Sequence, residues 1–142
     1  MKYMLNQITN IKELYYGKGV VSKMSLDVYL YRKYKKLYED GAIEDCEEEV
    51  YSANCTHNLN TMADKCGLYE LLWRPEEVDI TKANQLIEPL TVGLILLKSN
   101  PEYFKQFNPS NGWGSYDGFV RFVEKYLEAC VENRDCWVEV WR

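Results

Sequence analysis

Six apolar residues behind Tyr116 repeat at helical spacing: Phe119, Phe122, Val123, Tyr126, Leu127 and Cys130. A stripe that wide needs an apolar layer to lie on. Two alternating segments can supply it. In residues 25–31, Leu26, Val28 and Leu30 face one way and Asp27, Tyr29 and Tyr31 the other. In residues 136–142, Cys136, Val138 and Val140 are separated in the same manner from Trp137, Glu139 and Trp141. Residues 50–55 open on β-formers and read as a further strand.

The other segments read mostly as helices. Residues 1–22 carry Met4, Ile8, Ile11, Leu14 and Tyr15 on one helical face before Gly17 and Gly19 stop the pattern, which predicts an amphipathic extension over residues 1–23. Leu59, Met62, Ala63 and Cys66 mark a helix with Thr56 as its cap and Gly67 at its end. Ala83, Leu86, Ile87, Leu90, Leu94 and Leu97 mark another, capped by Asp79 or Thr81 and kinked or broken at Pro89. Residues 32–39 either extend the first strand or turn into a helix, and the acidic residues 40–49 read as a loop. The expectation is an α+β domain over residues 24–142. A three-stranded antiparallel or mixed sheet carries three to four helices on one face. If the first and last strands are neighbours, Tyr29, Tyr31, Trp137 and Trp141 share the other face, and a covering layer of helices is expected there.

Composition narrows the function. Twenty-two acidic against 17 basic residues leave a net charge of -5, the wrong sign for wrapping nucleic acid directly. No apolar run is long enough for a membrane span, and the opening residues lack the core of a signal peptide, so a cytoplasmic protein is expected. The five cysteines, without a C-x-x-C pair, read as reduced thiols. His57 is the single histidine, with only Cys55 close in sequence, so neither a metal nor a cofactor is expected and no catalytic residue is assigned.

Three places hold candidate chemistry. At the strand-to-helix junction, Asn54, Thr56, His57 and Asn58 gather polar side chains beside free backbone N–H groups, which suits a phosphate or another anion. Plain capping accounts for the same residues. In residues 108–116, Gly112 and Gly114 flank Trp113, and Asn111, Trp113 and Tyr116 could hold a flat ligand. Alternatively Trp113 folds back over the core while Ser115 caps the long helix. The acidic residues Glu44, Asp45, Glu47, Glu48 and Glu49 could face a basic partner, or simply be solvated.

Residues 54–77, 108–130 and 138–142 resemble a family of small uncharacterised proteins of bacteriophages, prophages and related mobile elements. The resemblance rests on Asn54, Thr56, His57, Asn58 and Leu59, and on Asn108, Pro109, Asn111, Gly112, Trp113, Gly114 and Tyr116. Residues 25–33 resemble the family's opening strand; residues 1–23 fall outside it, and Met24 offers an alternative start. The resemblance implies a phage or mobile-element origin and action in the host cytoplasm. It points to a non-catalytic binder of a host protein, such as an inhibitor of a defence system acting as an acidic nucleic-acid mimic. The alternative is a small-molecule or nucleotide-binding protein whose pocket joins residues 56–58 to residues 111–114.

Overall fold

The computed structural model describes residues 25–142. The extension read over residues 1–23 lies outside them. Among the described residues the fold is α+β, with a three-stranded antiparallel sheet and five α-helices.

The central strand is β1, Ser25–Leu37, flanked by β2, Ile43–Thr56, and by β3, Trp137–Trp141. Side-chain alternation sets the register. Leu26 pairs with Cys55, Val28 lies between Ala53 and Val140, and Leu30 lies between Tyr51 and Val138. Leu26, Val28 and Leu30 are fully buried, and all the helices pack on their side of the sheet. The opposite face carries Asp27, Tyr29 and Tyr31 beside Trp141, Glu139 and Trp137. The aromatic face therefore forms, and the described helices pack on the aliphatic face instead.

The helical layer begins with a 3-10 turn, His57–Leu59, that leads into α1, Asn60–Lys65. Gly67, at φ +79°, ends α1, with Leu68 N–H donating to the Ala63 carbonyl at 2.8 Å. Helix α2, Tyr69–Trp73, and a second 3-10 turn, Pro75–Val78, connect to α3, Asn84–Ser99. Neither Asp79 nor Thr81 caps α3, which starts at Asn84; instead the Gln85 side chain accepts from the Thr81 and Lys82 N–H groups, both at 2.8 Å. Nor does Pro89 break it. Leu86, Leu90, Gly93 and Leu97 are buried on either side, and that packing outweighs the roughly 3 kcal/mol a proline costs a helix interior. Helix α4, Pro101–Lys105, precedes α5, Tyr116–Glu132, which buries Phe119, Phe122, Val123, Tyr126 and Cys130 of the predicted stripe and half-buries Leu127.

The largest departure from expectation concerns residues 31–49. The basic segment stays in β1 to Leu37, and the acidic segment is not a loop, because β2 begins at Ile43. The turn comes from Asp40 and Gly41. Gly41 takes φ +88°, its N–H donates to the Tyr38 carbonyl at 2.9 Å, and Asp40 accepts from the Ala42 N–H at 2.9 Å. Opposite charges then face each other in register, which holds two polar strands together.

Candidate functional site

The junction and the glycine loop do meet. Gly114 has φ +106°, and a Cβ built there would lie 2.8 Å from Thr56 Cγ2 and 3.1 Å from Leu59 Cγ. The contact is a packed one, with backbone against methyl groups, and the polar side chains around it are engaged in the fold. Thr56 accepts from the Asn58 N–H at 3.3 Å and from its side-chain amide at 3.0 Å. His57 Nδ1 accepts from the indole N–H of buried Trp73 at 2.8 Å, which places the imidazole proton on Nε2. Trp73 is fixed in turn, stacked on Tyr69 at 5.5 Å, with its carbonyl taking a 3.0 Å bond from Arg142.

The remaining residues of this reading scatter. Asn54 is on the face opposite the described helices, where its amide donates to Ser25 Oγ at 2.8 Å and to Asp27 Oδ1 at 2.6 Å. Asn111 accepts from the Trp113 N–H at 2.9 Å and shapes its own loop. Tyr116 is buried and donates its hydroxyl to the Leu97 carbonyl at 2.7 Å, while its N–H is received by Asn108 at 2.7 Å. Ser115 caps α5 through the Gly118 N–H at 3.1 Å, and Asp117 in the first turn disfavours an anion there. Trp113 is not folded back over the core: its side chain points outward and the residue is 61% exposed. Cys55, close to His57 in sequence, is poorly placed to act as a thiolate nucleophile. It is buried, and burial pushes its thiol up to about 12. Among the described residues no three His, Cys, Asp or Glu side chains are grouped to hold a metal ion.

The acidic residues are organised differently. Past Tyr31, where β3 ends its pairing, β1 and β2 continue as a two-stranded arm, six residues on the β1 side, or about 20 Å at 3.3 Å per residue. Both faces of the arm are exposed, apart from half-buried Cys46. Arg32 bridges Glu48, Lys35 bridges Asp45 at 2.5 Å, and Lys33 approaches Glu47 at 3.8 Å. Tyr38 donates its hydroxyl to Glu44 at 2.5 Å, which raises the phenol pKa. A shallow groove of about 350 Å³ runs along one side, lined by Lys33, Tyr34, Lys35, Asp45, Cys46 and Glu47. The tip is apolar and open, with Leu37 76% and Ile43 64% exposed and Tyr38 beside them.

The basic half of this arm, left open as strand or helix in the sequence reading, was not among the candidate sites. Its signal was present: the basic residues 32–36 face the acidic residues 44–48 across an Asp-Gly turn.

No family model, curated protein or solved structure matches this chain. Among the described residues no helix is long and apolar enough to cross a membrane.

Proposed function

We propose that the protein is a non-catalytic binding module that engages a host protein through the β1–β2 arm, as an accessory factor of a phage or mobile element. The observation that carries this reading is the arm itself, two strands exposed on both faces and ending in bare Leu37 and Ile43. Exposed ion pairs contribute only about 0–1 kcal/mol each, so the arm adds little to stability. Apolar tip residues with a charged surround match the anatomy of a small protein interface, an apolar centre inside a polar rim. Seven acids to four cations over residues 32–49 give the arm a negative balance, which favours a basic partner surface and speeds encounter. Pairing with Arg32, Lys33 and Lys35 neutralises part of the acidic row, so recognition by contact fits the arm better than mimicry of nucleic-acid phosphates.

The pocket alternative has weaker support, because the side chains of residues 54–58 are committed to the fold. Affinity capture from host lysate with quantitative mass spectrometry separates the two. A host protein retained by the wild type should fall by about tenfold or more in Leu37→Ser/Ile43→Ser and remain with Trp113→Ala. Retention that survives the tip variant, or a copurifying small molecule lost in Trp113→Ala, would overturn the proposal.

A further inference from the structure

We infer that α3 pairs, antiparallel, with α3 of a second copy of this chain through an exposed apolar stripe. Helix α3 is apolar on two sides. Leu86, Leu90, Gly93 and Leu97 are buried on the inner one. On the outer one Val92 and Ile95 are each 61% exposed, with Leu96 beside them at 41%. Glu88, Val92, Ile95 and Ser99 follow one another at i, i+4, i+7 and i+11, so the exposed positions form a single stripe. Helix α5, which packs beside α3, fills its own exposed positions with Asp117, Arg121, Lys125 and Glu128. A charged outer side is what a helix bordering water ordinarily shows, and a helix apolar on both sides is ordinarily enclosed on both.

The occupant is argued from charge, symmetry and size. Glu88 lies toward one end of the stripe and Lys98 flanks the other, each five residues from Gly93. A second α3 laid antiparallel about that midpoint sets Glu88 of each copy opposite Lys98 of the other, and Val92 of each beside Ile95 of the other. A parallel pair would set Glu88 against Glu88. The surface is thus its own complement, as a two-fold contact between identical chains requires. Glu88 is exposed and has no ion pair among the described residues. Lys98 bridges Glu124 at 2.6 Å, but both side chains are exposed, and such pairs hold weakly enough to be shared. The helix is 16 residues long, about 24 Å, so one face of it buries well under the roughly 800 Å² per partner of a standard interface. Association is therefore reversible and set by concentration. The stripe shares no residue with the β1–β2 arm, so the inference stands apart from the reading of that arm.

The test is sedimentation velocity of the full chain over a concentration series. The wild type should pass from monomer to dimer as concentration rises. Val92→Asp/Ile95→Asp should weaken the dimer by about tenfold or more while the far-ultraviolet circular dichroism stays unchanged. Glu88→Lys and Lys98→Glu should each weaken it several-fold, and the two combined should restore it, which damage to the fold would not do. A chain that stays monomeric up to about 1 mM overturns the proposal, as does a dimer indifferent to Val92→Asp/Ile95→Asp. A dimer lost instead in Leu37→Ser/Ile43→Ser gives the interface to the tip of the arm and overturns it as well. A combined charge swap that fails to restore the dimer overturns the antiparallel pairing. If Val92→Asp/Ile95→Asp unfolds the chain, the charge swaps at exposed Glu88 and Lys98 decide alone.

Discussion

His57 shows how far a single residue can be read before its neighbours are known. As the one histidine in the chain, beside a helix start, it is a natural candidate for acid–base work. The structure places its Nδ1 against the indole of Trp73, sixteen residues away and 3% exposed. Nothing in the local sequence announces that pairing, because it depends on how α2 folds back onto the junction. His57→Ala should destabilise the fold by about 1–3 kcal/mol, the cost of leaving a buried indole N–H without its acceptor. A urea titration monitored by tryptophan fluorescence measures it. His57→Gln, which keeps an acceptor, should recover part of the loss. Cap signals divided: Ser115 and Gly67 hold the positions their residue types predict, whereas neither Asp79 nor Thr81 caps α3.

Among the elements, those with an apolar period were legible and those held together by charge were not. The stripe of α5 and the alternation of β1 and β3 appear where the spacing puts them, since burial rewards one register. The arm has no apolar period to betray it. Its strands are specified by matching charges across a turn, and a row of glutamates considered alone looks like a loop. For α3 the decisive contact is also hidden in sequence. Gly93 sits against Leu68, and a Cβ there would come within 2.4 Å of Leu68 Cδ2. Gly93→Ala should therefore cost about 1–3 kcal/mol through overpacking, even though alanine is the better helix former. Thermal unfolding followed by circular dichroism reads the sign directly, and a more stable variant would show that α3 can move away from Leu68.

At the scale of the whole molecule, the α+β class followed from the segregation of strands and helices along the chain, whereas the side of the sheet on which the described helices pack did not. Periodicity says that a strand has two faces, not which one a helix will choose when both are apolar. The reduced interior has a consequence for alkaline pH. Burial pushes Cys55 and Cys130 up to about 12 and Cys66 up to about 11, from 9.0. The folded state thus holds these protons more tightly than the unfolded chain does. The stabilisation is complete below pH 9 and is lost as pH climbs through the folded values, so the urea midpoint should hold up to about pH 9 and decline toward 12. A midpoint that stays flat to pH 12 would show that these thiols ionise without leaving the core.

The order of the strands along the chain has a consequence for how the protein is made. The central strand finds β2 at once across a five-residue turn, but its other partner, β3, is separated from it by the entire helical layer. On a chain synthesised from its amino end, β1 and β2 must exist for a time as a bare hairpin with Leu26, Val28 and Leu30 uncovered. Closing so long a loop is entropically slow, which makes the docking of β3 the step on which refolding waits.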